Sequence, residues 1–234
     1  MRHRPVRRGI RQLHRSPAPR LPWAEASRPM TDVKCELECG ELLHGHPCPP
    51  LTLGVRAGHA ALRALAVPRA VERELFAMVE VTSDHYGQGF ADGVQVATGC
   101  TFGKDRIVRL PHGKLGLTLL DQRRRRAVRV ALRAAVGEAL ESSAWFRAVR
   151  SAGEPWAPVP REVLEPILAF VLDCEDDHLF STSPIFPMEL EEGAPSFRTV
   201  PCQACGDLVL EPYVERRGEA QLCLRCAERI PPRR

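Results

Sequence analysis

The chain has 234 residues, 44% of them hydrophobic, and a formal net charge of +4 at pH 7. That is apolar mass for one medium core plus a small module, and no stretch approaches the roughly 18 uninterrupted apolar residues of a transmembrane helix, so no membrane partner is expected. The charge is lopsided: residues 1–29 hold eight arginines and one glutamate, +7, which leaves −3 for the remainder, and a mildly acidic body argues against nucleic-acid binding by bulk charge.

Residues 1–30 contain no apolar h-region and no small-residue cleavage site, so they do not read as a secretory signal. Five prolines among them argue against an amphipathic transit helix. They read as a disordered basic leader, with Met30 as an alternative start. A core domain is expected over 31–180. Residues 31–43 predict a short helix, with Thr31 or Asp32 as N-cap. Pro49 and Pro50 suit the first turn of the next helix, where a missing N–H costs nothing. Leu51, Val55, Leu62 and Leu65 give that helix an apolar face, and Gly54 and Gly58 are spaced for close packing. Residues 75–82 predict a strand and 91–99 a short helix ending near Gly99, followed by the tight polar loop CTFGK.

Leu115, Leu117 and Leu119 alternate, as do Val128, Val130 and Leu132. Period two predicts a hairpin, with the arginine run 123–126 solvated at its tip; one long basic helix over 121–150 is the rival reading. Residues 134–150 and 160–173 predict helices, the second open to splitting by Pro166. Residues 181–200, rich in proline, serine and acidic groups, predict a linker.

The last element, 201–230, carries the strongest local signal. Cys202 and Cys205 form one CxxC, Cys223 and Cys226 another, seventeen residues apart. Thiolates suit tetrahedral zinc, and two intervening residues let both sulfurs reach one ion. Gly206 permits a tight knuckle, and the residues between the pairs can form a hairpin turning near Gly218. So few residues bury little core, so metal must supply the folding free energy. A structural zinc in a treble clef or zinc ribbon follows, with iron the minor alternative. Such a finger can contact protein or nucleic acid. Arg216, Arg217 and Arg225 are cancelled by Asp207, Glu211, Glu215 and Glu219, which favours protein contact or simple domain stabilisation. Nine cysteines in an odd, paired pattern point to metal and thiol chemistry in a reducing, cytoplasmic compartment.

The stretch HGHPCP, residues 44–49, alternates His44, His46 and Cys48. In an extended segment the three share a face, and Gly45 lets the chain wrap around an ion. Cys48 stands at the mouth of the proline-led helix, where partial positive charge favours the thiolate. The stretch is a metal site, an activated nucleophile or a polar loop with a half-buried cysteine. TGCTFGK, residues 98–104, sets Cys100 among small and hydroxyl residues at a helix end, where Thr98, Thr101 and Lys104 can bind an anion or orient a ligand.

In order and spacing, HGHPCPPLTLG (44–54), DGVQVATGCTFGK (92–104), HGK (112–114) and the CxxCG…CxxC tail resemble the FmdE family, named for a component of formylmethanofuran dehydrogenase, over roughly residues 35–228. The resemblance implies an α+β fold: a mixed-sheet core, similar to the glyceraldehyde-3-phosphate dehydrogenase catalytic domain, joined to a zinc finger. It implies a metal or ligand pocket holding His44, His46, Cys48, Asp92, Gln95, Cys100 and Lys104, and it allows a homodimer. One departure matters. The family usually has a third core cysteine three residues before the aspartate, and here Gly89 stands there; His85 and Tyr86 are the nearby candidates to replace it. Cys35, Cys39 and Cys174 read as ordinary thiols.

The chain has no ferredoxin-type cysteine run and no molybdopterin domain, so it does not perform the family's namesake redox reaction alone. The leading expectation is a metal-binding accessory protein that handles a metal or metal cofactor, zinc in the finger and a second transition metal in the core, or attaches to a molybdenum or tungsten enzyme. The alternatives are an enzyme with Cys48 as nucleophile or metal-bound thiolate and Lys104 steadying an anionic substrate, and a regulator that binds nucleic acid or a polymerase through the finger.

Overall fold

The computed structural model describes residues 33–83, 86–151, 159–191, 193 and 196–229. The basic leader, Met30, both proposed N-caps and His85 lie outside the described residues. The chain divides into two compact units, 1–188 and 189–234.

In the first unit, α1 (Val33–His44) leads to α2 (Pro49–Leu65). The prolines occupy the first turn of α2, and extended Cys48 (φ −155, ψ 155) precedes them. Almost every residue of α2 is buried, because it packs on helices as well as on the sheet. Strand β1 (Leu75–Val79) is followed by α3 (Gly89–Thr98) and β2 (Ile107–Arg109). The helices α2 and α3 touch backbone to backbone. A β-carbon on Gly54 would fall 2.1 Å from the Phe90 carbonyl oxygen, and one on Gly93 2.1 Å from that of Leu51. Only glycine tolerates such approach. This contact brings the start of α3 beside the residues that lead into α2.

The hairpin forms as expected: β3 (Gly116–Asp121) and β4 (Arg126–Leu132) are antiparallel, with Leu117 opposite Val130 and Leu119 opposite Val128. Those alternating side chains face α2 and build the core with Leu53, Ala57, Leu65, Ala77 and Val79. The arginine run is not simply solvated. Buried Asp121 accepts from the Arg124 backbone N–H (3.2 Å) and from Arg126 Nε (3.3 Å), while Arg126 Nη2 donates to the Leu65 carbonyl (2.6 Å).

Residues 134–150 form two helices, α4 (Ala134–Glu141) and α5 (Ala144–Ser151). The break has a local cause. Ser143 Oγ accepts the Phe146 N–H at 3.1 Å, so this serine caps a new helix. Pro166 does not split α6 (Arg161–Asp173), whose last carbonyls, Val171 (2.8 Å) and Leu172 (2.5 Å), accept from Arg56. A short α7 (Asp176–Leu179) precedes β5 (Phe180–Thr182) and β6 (Phe186–Pro187). Residues 181–187, expected in the linker, therefore belong to the core sheet, because both strands hydrogen-bond to β4.

The sheet order is β2-β1-β3-β4-β5, with β6 also on β4. β1 and β2 are parallel, joined through α3, and the other pairs are antiparallel. This is the mixed sheet of the expected α+β class. Among the described residues no helix is long and apolar enough to cross a membrane.

The second unit has two hairpins and a helix. β7 (Thr199–Pro201) pairs with β8 (Leu208–Leu210) around the first CxxC, and β9 (Val214–Arg217) with β10 (Ala220–Cys223) around Gly218 (φ 63). α8 (Leu224–Arg229) closes it. Knuckle, hairpin and short helix follow in treble-clef order. Its buried core is Cys202, Leu222 and Ala227, too little to fold unaided.

Candidate metal centres

His44 ends α1, and the chain turns at Gly45 (φ 99). The turn, rather than one extended segment, brings His46 and Cys48 back beside it. The donor atoms of His44, His46 and Cys48 all lie within 4.8 Å of one another. The two imidazole rings meet edge to face, 4.7 Å between centroids. His46 is exposed and Cys48 buried, so the cluster has a dry wall and an open side.

His44 Nδ1 stands 2.9 Å from Asp92 Oδ2. A carboxylate only accepts, so Nδ1 is the donor, and Nε2 is the ring nitrogen left for a metal. That nitrogen points at the cluster: the space beside Gly89 is bounded by His44 Nε2 and Cys48 Sγ. A carboxylate behind a histidine is the arrangement that orients metal-binding imidazoles. Asp92 is held in turn. Its Oδ1 accepts from Gln95 Nε2 at 3.1 Å, and Gln95 Oε1 accepts the Phe102 backbone N–H at 3.0 Å. One hydrogen-bonded line thus runs from the CTFGK loop to His44. Imidazole and thiolate donors in this set suit zinc, copper, iron or nickel.

The Cys48 thiol is pushed up to about 12. Burial is the main cause; the Leu51 amide opposes it, and the charges of Asp92 and Glu41 add to it. The lowering expected from the helix mouth is absent, because loss of solvation outweighs the helix-end field. A bound divalent cation is what deprotonates such a thiol.

The other pocket residues separate. Cys100 is absent from the donor cluster and packs in the apolar core, with burial raising its pKa. The reason is the length of α3. Asp92 lies in its first turn and Cys100 past its last residue, on the order of 10 Å further along at 1.5 Å per residue. Lys104 Nζ donates to the Val71 carbonyl at 3.1 Å, and Thr101 precedes the short turn Phe102–Lys104. Tyr86 packs its ring edge-on to Phe146, 5.0 Å between centroids. Cys35 and Cys39 are exposed on α1.

Sequence reading also missed two buried side-chain contacts between elements. His59 Nε2 meets Glu36 Oε2 at 2.5 Å between α2 and α1, and Glu80 binds Arg129 through Nε (2.6 Å) and Nη2 (2.7 Å). Neither leaves a sequence signal, because the partners are far apart in the chain. A groove of about 680 Å³ between α1, α2 and the end of α6 contains none of the clustered donors.

In the second unit the Cys202, Cys205, Cys223 and Cys226 sulfurs lie within 4.8 Å of one another, Cys205 and Cys223 at 4.0 Å. Tetrahedral zinc at 2.3 Å from each sulfur needs about 3.8 Å between them. The Cys223 N–H points at Cys202 Sγ from 3.3 Å. With the Cys205 amide, it lowers the Cys202 thiol to about 6.

A family model described as "FmdE, Molybdenum formylmethanofuran dehydrogenase operon" matches residues 43–181. The chain belongs to the FmdE family. The matched segment of this FmdE chain opens at the HGHPCP loop and ends in β5. A second model, "Prokaryotic dksA/traR C4-type zinc finger", matches residues 195–232, so the four-cysteine unit is a zinc finger and this FmdE protein binds metal. A curated relative from Archaeoglobus fulgidus, described as a "Probable S-adenosyl-L-methionine-binding protein", is 30% identical over 218 residues, 89% of this chain and 57% of that one. The chain thus spans little more than half of that relative's length. A crystal structure of a tungsten formylmethanofuran dehydrogenase FmdE-like protein from Syntrophus aciditrophicus aligns with a TM-score of 0.55 at 21% identity, over 85% of this chain and 94% of that one. That likeness is one of fold.

Proposed function

We propose that the FmdE unit is a second metal-binding domain, in which His44 Nε2, His46 and Cys48 Sγ hold one first-row transition ion. One observation carries this reading: three soft or borderline donors converge within 4.8 Å, and the histidine among them is braced from behind by Asp92. Three protein donors leave a coordination position free, as exchangeable or catalytic sites do, and exposed His46 gives access to it. The finger, with four thiolates, has no such position and serves as a structural clip and protein-docking module.

Such a protein handles a metal, or presents one to a partner. The family's description supports a molybdenum enzyme as that partner; nitrogen and thiolate donors are not themselves a site for a molybdenum oxyanion. The enzyme reading with Cys48 as a free nucleophile is the weaker one, since that thiol is buried and pushed up. A second reading has one observation of its own: the archaeal relative's name points to S-adenosyl-L-methionine as a small ligand.

The test is metal per chain by mass spectrometry on the full protein and on Cys48→Ser. Two ions in the first and one in the second support the core site. One in both sinks it, and calorimetric titration with S-adenosyl-L-methionine then decides whether the domain binds that ligand instead.

A further inference from the structure

Gly89 is buried at the first position of α3, and its backbone does not require glycine, since no left-handed φ occurs there. Alanine would favour the helix. What the position lacks is room. A β-carbon would stand 2.9 Å from His44 Nε2, 3.0 Å from His44 Cε1 and 3.2 Å from Cys48 Sγ. All three nearest atoms belong to the proposed metal ligands. The nearest of them, His44 Nε2, is the far end of a side chain and lies close enough that it must shift to admit a β-carbon.

We propose that Gly89 sets the donor set of the core site: having no side chain, it admits the His44 imidazole and makes the centre His2Cys. A methyl group here displaces His44 and breaks its contact with Asp92. A thiol-bearing side chain displaces it too, but places a second sulfur beside Cys48 and converts the centre to one histidine and two thiolates. Gly89 is thus a specificity-determining residue that never touches the ion, and the exchange shifts preference toward softer cations such as cadmium or Cu(I). This inference rests on the metal reading above.

The experiment is cadmium-113 NMR on the full chain, in which sulfur-rich sites resonate downfield of nitrogen-rich ones. Wild type gives two resonances, the finger far downfield and the core upfield of it. In Gly89→Ala the core resonance is lost or the core affinity falls by about tenfold or more, while the finger resonance and the circular dichroism stay. In Gly89→Cys the core resonance persists and moves downfield, and adding His44→Ala to that variant leaves it in place. A Gly89→Ala protein that keeps the wild-type core resonance and affinity overturns the inference alone. So does a Gly89→Cys protein whose core resonance does not move. A wild type with the finger resonance only overturns the underlying metal reading, and the inference with it.

Discussion

Asp92→Asn removes the brace behind His44 without changing the shape of the side chain. Asp92 serves two donors, His44 Nδ1 at 2.9 Å and Gln95 Nε2 at 3.1 Å, through separate oxygens. An asparagine has one carbonyl oxygen, so one of those donors then faces an amide NH2. It also removes the carboxylate that holds the His44 ring in place through Nδ1. Loss of such a partner lowers metal affinity by about 10- to 100-fold, or roughly 1.4–2.8 kcal/mol at 1.4 kcal/mol per decade. The fold should feel it less. The Asp92 side chain is 31% exposed, so an amide reaches water there, and the cost to unfolding is about 1 kcal/mol or less. The assay is a chelator-competition titration of the core ion, with the finger zinc as internal reference, paired with a urea unfolding curve. An unchanged core affinity would refute the role given to Asp92. An equal drop in the core and finger sites would show only general damage.

Cys202→Ser should empty the finger and unfold residues 196–229, since metal supplies about 10–16 kcal/mol to such units; amide exchange should rise there and stay unchanged in the sheet. Metal-free protein treated with iodoacetamide at pH 8 should be alkylated at exposed Cys35 and Cys39 well before buried Cys48, and mass mapping that finds Cys48 first would revive the nucleophile. The Arg129 guanidinium holds Glu80 below the usual carboxylate range, against the effect of burial. The folded pKa is thus depressed, so its stabilisation is complete above the unfolded value of about 4.3 and is lost as pH falls through the folded one. Glu80→Gln should cost about 1.5–3 kcal/mol at pH 7 and flatten the fall of the urea midpoint in acid; parallel acid profiles for both proteins would count against it.

Patterns confined to one element were legible in the sequence. The alternation of Leu117, Leu119, Val128 and Val130 reads directly as a hairpin, because the pleat puts every second side chain on one face. The prolines before Leu51, and Gly54 with Gly58, give the start and the packing face of α2 on the same grounds. The His44, His46 and Cys48 spacing gave the donors, and the two CxxC pairs gave the finger. Relations between elements were not legible. The link from His44 to Asp92 exists because Gly54 and Gly93 let two backbones touch. The exclusion of Cys100 follows from the length of α3, and the composition of its loop carries no sign of it. Burial of Cys48 is likewise a property of the assembled core, and it reversed the effect expected of a helix mouth. The serine cap that breaks 134–150 was readable in principle, since Ser143 is an N-cap residue type followed by a new apolar run. Short strands such as β5 and β6 were hidden by the proline-rich composition around them.

The most direct measurement is anomalous diffraction from crystals of the full chain, collected on both sides of the absorption edge of the metal found by mass spectrometry. The account predicts two peaks, one among the four finger sulfurs and one bounded by His44 Nε2, His46 and Cys48 Sγ, with Asp92 still bonded to His44 Nδ1. A single peak in the finger, with the His44 and Cys48 side chains in place and no density between them, would contradict it.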